Sequence, residues 1–334
     1  MKFLKELELQ YKKILSDYVT DQTERTLYMG QNFTRQLIQK SVPPEDVVSM
    51  HKNAMQTIFP DATGELYAAY DFLIEVMVHY GMAHREHQCL LRKQEELQIE
   101  MNIATNIQKT LLKTVVPSLK GIDIGMLSIP VRNMNGDYVH FFEDKEDYVS
   151  VAVTDVVGKG VPAALCMSMV KYGLETLEYA YKNPSYVLEA INRVIEKGVD
   201  DSMFVSMFYG RYDIQNSIFS YASAGHEPAL HYISQENVFR ELEAKGLLLG
   251  ILPEVEYSHF DITLEAGDMV IMMTDGVTEF RINEELNSRE VITSLMTKHK
   301  HLSAQELCVV LHKEIERLQN FKLTDDFTVV IIKK

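Results

Sequence analysis

Aspartates placed beside threonine or glycine at the ends of apolar runs are the residues of this chain whose types and spacing could do chemistry. Asn135-Gly136-Asp137-Tyr138 opens the apolar segment Tyr138 to Phe142. A charged turn follows, and the alternating run Tyr148 to Thr154 leads into Asp155-Val156-Val157-Gly158-Lys159-Gly160. If the two runs form an antiparallel hairpin centred near Lys145 or Glu146, residues whose numbers sum to about 292 face one another. Asp137 and Asp155 satisfy that sum, so two carboxylates come to the same end of one hairpin. The same device recurs near the C-terminus. Met269 to Met273 reads as a buried strand ending in Thr274-Asp275-Gly276, and Thr324-Asp325-Asp326 precedes the strand Phe327 to Ile332. Paired antiparallel, these strands bring a second set of aspartates together.

Clustered carboxylates repel one another and hold their protons more tightly unless a cation neutralises them. Oxygen-only ligation, with no patterned Cys or His, points to Mg2+ or Mn2+ rather than zinc. Two such ions polarise a phosphoryl oxygen and activate water, the two-metal route to phosphate ester hydrolysis. Taken singly, a Thr-Asp-Gly is also an ordinary turn closed by an Asx hydrogen bond. Four aspartates at strand ends whose pairings converge favour the metal site.

The elements that must position these residues lie in the second part of the chain. Of 16 glycines, Gly30, Gly64 and Gly81 lie in residues 1–120 and the rest in residues 121–334, which implies two architectures. In residues 1–83 apolar side chains recur at helical spacing, as in Leu4, Leu7, Tyr11, Ile14, Leu15 and Tyr18, and again in Leu66, Tyr70, Leu73, Ile74 and Met77. Pro43-Pro44-Glu45-Asp46 reads as a helix start, and a small all-helical domain of four helices is expected. Residues 84–118 read as a helical linker. Leu90, Leu97, Ala104 and Leu111 are spaced for a coiled coil, whereas Lys93 and Glu100 occupy the other apolar row, so a solvated connecting helix stands as the alternative. Residues 119–334 alternate short strands with helices at about 161–181, 185–198, 287–298 and 303–319, the pattern of an α+β layered fold.

Composition narrows the function. With 334 residues and 46% hydrophobic content the chain can bury a sizeable core. Its 48 acids against 33 bases leave a formal charge of −15, which argues against a nucleic-acid partner. Cys89, Cys166 and Cys308 are odd in number and unpatterned, as expected of reduced thiols. The charged N-terminus fails as a signal peptide and no apolar run reaches membrane-spanning length, so a cytoplasmic location without membrane attachment is expected.

Five motifs in order carry a family resemblance: Asn135-Gly136-Asp137-Tyr138; Thr154-Asp155 through Ala164; Ser223-Ala224-Gly225-His226-Glu227-Pro228; Thr274-Asp275-Gly276-Val277-Thr278-Glu279; and Thr324-Asp325-Asp326-Phe327-Thr328. Together they resemble the metal-dependent protein phosphatase family in its bacterial SpoIIE-like branch, over about residues 120–334. The resemblance implies an α/β/β/α sandwich, two antiparallel sheets flanked by helices. It implies a serine/threonine phosphoprotein phosphatase using two Mn2+ or Mg2+ ions, with Asp137, Asp155, Asp275 and Asp325 as catalytic positions. Asp155 then bridges both metals beside the backbone carbonyl of Val156, Asp137 serves the first metal, and Asp275 with Asp325 or Asp326 serves the second. Alignment on Thr328-Val329 favours Asp325.

The helical N-terminal residues, linker and length resemble the branch members that act in sigma-B stress signalling. That likeness implies a regulator-binding N-terminal domain, a kinase-like activator of the RsbT type, a phosphorylated anti-sigma-factor antagonist of the RsbV type as substrate, and a homodimer. Two other functions stand beside this one: an interaction module with a degenerate phosphatase domain, against which every acidic motif position is filled, and a two-metal phosphodiesterase. One departure is Asn135, where the family usually has glycine; asparagine tolerates left-handed backbone, so the turn is expected to survive. Arg132 orients a phosphate or is solvated. Gly158-Lys159-Gly160 is a flexible helix start or a phosphate cradle. His226 fixes a turn or acts as a general acid, and the Met-rich Cys166-Met167-Ser168-Met169 is expected to pack in the core.

Overall fold

The computed structural model describes residues 2–131, 134–144, 148–158, 160–177, 183–199, 203–279, 288–319 and 325–334. Arg132, the hairpin centre at Lys145–Glu146, Lys159 and Thr324 lie outside the described residues. The chain divides into two compact units, Met1–Glu100 and Met101–Lys334.

The first unit is helical. It contains α1 (Lys2–Thr20), α2 (Glu24–Gln39), α3 (Pro44–Ile58) and the first part of α4 (Gly64–Leu111). The α3 start follows its sequence signal: Pro43 is the N-cap, Pro44 stands in the first turn where its missing N–H costs nothing, and Glu45 and Asp46 face the positive end of the helix dipole. Leu7, Phe33, Leu37 and Met50 form the buried centre, with Tyr11, Ile14, Val42 and Val47 packed against it. Along the 48 residues of α4, Leu90 and Leu97 of the seven-residue series are 58% and 62% exposed.

The second unit is a layered sandwich. Its strands are β1 (Asp123–Ile129), β2 (Asp137–Asp144), β3 (Tyr148–Val156), β4 (Val205–Asp213), β5 (Ile218–Ala224), β6 (Ala229–Ile233), β7 (Val238–Leu242), β8 (His259–Thr263), β9 (Met269–Met273) and β10 (Phe327–Lys333). Its helices are α5 (Val161–Leu177), α6 (Pro184–Gly198), α7 (Asp275–Thr278), α8 (Ser288–His299) and α9 (Ala304–Leu318). One sheet runs β1-β10-β9-β6-β7 and the other β2-β3-β4-β5-β8.

The period-two alternation of the strands builds the layers. Val149, Val151 and Val153 of β3 meet Val270 and Met272 of β9 and Val330 and Ile332 of β10 between the sheets. On the opposite face, Ala152 and Val156 join Ala163, Cys166, Met167 and Val170 of α5 and Val187, Leu188, Ile191 and Ile195 of α6. The other sheet does the same: Phe327, Val329 and Ile331 face Leu307, Cys308, Leu311 and Ile315 of α9, with Ile292 and Met296 of α8. Strands buried on both faces are why β9 and β10 read as continuous apolar runs. Two of the free cysteines, Cys166 and Cys308, are core residues, as is Met167, whereas Met169 is only partly buried against the same cluster and Ser168 is half-buried.

Candidate metal centre

The β2–β3 hairpin has the register that its sequence demands. Asp137 pairs with Asp155, Tyr138 with Thr154, and so on to Asp144 with Tyr148. Two carboxylates therefore stand side by side at the first residue of one strand and the second-last of the next. β9 and β10 pair antiparallel, with Met273 opposite Val329, so Asp275 and the Asp325–Asp326 pair come to one end of the other sheet. The two ends converge. A cavity of about 240 Å3 between them is lined by Gly136, Asp155, Val156, Asp275, Asp325 and Asp326, among others.

The threonines of the Thr-Asp pairs have structural work of their own. Thr274 donates through Oγ1 to Asp137 Oδ2 at 2.8 Å and accepts the Thr328 N–H at 3.2 Å, while its own N–H donates to the Thr328 carbonyl at 3.1 Å. Asp137, in one sheet, is thereby fixed by residues of the other. Thr154 donates to the Tyr138 carbonyl at 2.9 Å and closes the hairpin end.

Asp325 and Asp326 are separated by their partners. Both oxygens of Asp326 accept backbone N–H groups, Val131 at 2.8 Å and Gly136 at 2.7 Å, and its own N–H donates to Asp325 Oδ1 at 3.0 Å. Asp326 thus ties the loop before β2 to the start of β10. Asp325 presses electrostatically on both Asp155 and Asp275. Gly276 allows the approach, because a Cβ there would overlap the Asp326 backbone oxygen.

Burial and mutual repulsion raise the carboxylates of this cluster. Burial, then the charges of Asp275, Asp325 and Asp326, push the Asp155 carboxyl up to about 7. Burial and Asp155 raise Asp137 well above the usual carboxylate range, and burial and Asp325 raise Asp275. Among the described residues no group of three or more His, Cys, Asp or Glu side chains stands close enough together to hold one metal ion. Mutually repelling carboxylates around a shared cavity, with neither thiol nor imidazole among them, nonetheless form the donor set of a hard divalent cation.

The accessory positions also resolve. His226 is buried, its Nδ1 is 2.8 Å from Ser206 Oγ, and its N–H donates to Ser223 Oγ at 3.2 Å across the turn at Gly225, where φ is 64°. Burial lowers its pKa to about 4, so it is neutral at pH 7 and holds the turn. Gly158 and Gly160 have φ of 136° and 80°, backbone that favours glycine ahead of α5. Asn135 is absent from the positive-φ residues, so the asparagine needs no left-handed tolerance. Its side chain works instead: Oδ1 accepts the Asp137 N–H at 3.0 Å and Nδ2 donates to Ser128 Oγ at 3.0 Å. Ser128 in turn is 3.0 Å from Thr328 Oγ1. Sequence reasoning missed Ser128 and Gln108, whose amide contacts Asn135; neither carries a local pattern.

Comparison with known proteins gives the family and the fold. The family model for Stage II sporulation protein E (SpoIIE) matches residues 145–334, and that for the phosphoserine phosphatase RsbU N-terminal domain matches residues 9–83. Phosphoserine phosphatase RsbU of Bacillus subtilis is 44% identical over 334 residues, covering 100% of this chain and 99% of that protein. The fold is shared with the PP2C phosphatase domain and regulatory fragment of SpoIIE from Bacillus subtilis at 21% identity and a TM-score of 0.56, covering 66% of this chain and 64% of that one. It is shared also with RsbX in complex with magnesium, at 19% identity and a TM-score of 0.50, covering 65% of this chain and 98% of that one.

Proposed function

The chain belongs to the SpoIIE phosphatase family and carries the N-terminal domain of its RsbU members, and from that premise we propose that it removes phosphate from a phosphoserine anti-sigma-factor antagonist of the RsbV type. It is a metal-dependent serine/threonine protein phosphatase that uses Mn2+ or Mg2+. The observation that carries the reading is the register that sets Asp137 opposite Asp155 while Asp155, Asp275 and Asp325 share one cavity with Val156.

Asp155, Asp137, Asp275, Asp325 and the Val156 carbonyl would hold two ions, with Asp326 supporting the loop. The bound ions supply positive charge that neutralises the carboxylates and polarises a phosphoryl oxygen. The residues around them do the rest. Thr274 holds the Asp137 carboxylate by its hydrogen bond, and Asp326 ties Val131 and Gly136 to the start of β10. An uncompensated cluster of carboxylates repels a phosphate dianion, so substrate binding depends on cation loading. The N-terminal unit is read as the docking domain of a kinase-like, RsbT-type activator, and the chain as a cytoplasmic homodimer.

Asp155→Asn is the direct test. Purified variant and parent, with Mn2+, are assayed for phosphate release from a phosphorylated antagonist and for cleavage of an oligonucleotide. The variant should fold and lose more than about a hundredfold in phosphate release, beyond the cost of losing a supporting residue. Retained activity would sink the assignment, and cleavage of the oligonucleotide by the parent would turn it to a phosphodiesterase.

A further inference from the structure

We propose that Gln108, in the last turn of α4, is a positioning residue for the metal centre. Its Nε2 donates to the Asn135 carbonyl at 2.8 Å and its Oε1 accepts the Asn135 N–H at 3.2 Å. One side-chain amide therefore grips both backbone groups of one residue, as a neighbouring strand would, at a position just ahead of the strand proper. Gln108 is 5% exposed, although Ile107 beside it is 53% exposed. Burying an amide while leaving an isoleucine in water is costly unless the amide's hydrogen bonds are needed there.

What the grip holds is the approach to Asp137. Asn135 receives the Asp137 N–H on its Oδ1, and Gly136 gives its N–H to Asp326. A second chain runs from Asn135 Nδ2 through Ser128 and Thr328 to Thr274, the donor to the Asp137 carboxylate. Asp137 is thus fixed through its backbone and its side chain by two routes that both start at Asn135. The helix end that delivers Gln108 is itself anchored. Lys171 of α5 donates to the Leu111 carbonyl at 2.6 Å, and Thr114 donates to the Val139 carbonyl of β2 at 2.5 Å. With the helix end tied to α5 and to β2, the Gln108 amide has a fixed place from which to set the loop. Outer partners of this kind typically change metal affinity or activity by about 10- to 100-fold.

This inference rests on the metal-centre reading, and the experiment separates the two. Full-length Gln108→Met keeps side-chain length and helix propensity but removes both amide groups. Mn2+ affinity is read by isothermal titration and by the electron paramagnetic resonance of free Mn2+, alongside kcat and KM on the phosphorylated antagonist. The expected result is about tenfold or greater loss in Mn2+ affinity and in kcat, with KM little changed. Ile191→Val, in the α6 core, serves as a control that lowers melting temperature and leaves Mn2+ affinity intact. If Gln108→Met lowers only the melting temperature, as the control does, the proposal is overturned. If the parent binds no Mn2+, the metal-centre reading itself fails. Hydrogen exchange in the parent gives an answer even should the variant not fold: the Asn135 amide is expected to be protected, and fast exchange would count decisively against the grip.

Discussion

His226 and Asp155 carry opposite perturbations from the same cause, burial, and the difference sets the pH behaviour of the protein. Burial disfavours the charged form of each, lowering the histidine to about 4 and raising the aspartate to about 7. For His226 the unfolded chain binds a proton below its ordinary pKa of about 6.5, while the folded chain does not until about 4. Stability attributable to this residue is therefore present above pH 6.5 and falls as the pH drops towards 4, by about 3 kcal/mol in all. The raised aspartates act in the opposite sense when no cation is bound, so raw stability-pH curves mix the two. Subtracting the curve of His226→Gln from that of the parent, both by urea denaturation between pH 4 and 7 in the same buffer, isolates the histidine. The parent should lose more stability than the variant on acidification; parallel curves would show that His226 is not a buried neutral group.

At the scale of elements, the proposed metal-binding end of the sandwich is made where strands stop. β9 ends at Met273, β10 begins at Phe327, and the turn at Gly276 lies close against the Asp326 backbone. That contact holds Asp275 beside Asp325, and no side-chain rotation can relieve an added methyl. Gly276→Ala should therefore push the two strand ends apart. The parent in Mn2+ at one hundred times its dissociation constant should gain about 2.7 kcal/mol over the metal-free protein. The variant is expected to unfold cooperatively in chelator and to lose most of that gain, as read by the shift in thermal melting on adding Mn2+. An undiminished shift would mean the close approach is not needed for metal binding.

The same element ends show why so much of the site was legible and some of it was not. A hairpin states its own register through alternation and turn position, so Asp137 and Asp155 could be paired by number alone. β9 and β10, buried on both faces, announced themselves as apolar runs. β7 and β8 did not, because largely exposed strands carry neither alternation nor continuous hydrophobicity. The distinction between Asp325 and Asp326 rests on backbone N–H groups at Val131 and Gly136, contributed from 190 or more positions away. Gln108 and Asn135 are likewise 27 residues apart and meet only because a helix end is anchored on β2. Contacts of that kind have no period to read.

For the whole molecule, the division of labour follows from where the cores lie. Leu7, Phe33, Leu37 and Met50 belong to the first unit, whereas the three clusters of the sandwich lie entirely beyond residue 100. Among the described residues each cluster lies within one unit, so each unit should keep its fold when the chain is cut between them. The cut must spare Thr105 and Gln108, which are buried at 7% and 5% exposure within the second unit although they sit on α4. A fragment spanning residues 101–334 is accordingly expected to melt cooperatively, bind Mn2+ with the parent's affinity and retain basal phosphatase activity. Its activity should no longer rise on addition of the RsbT-type activator, because the proposed docking domain is gone. Steady-state assays of fragment and full chain, each with and without activator, decide the matter. Stimulation of the fragment equal to that of the full chain would place the activator's site on the phosphatase unit, and loss of basal activity would mean the first unit contributes to the metal centre itself.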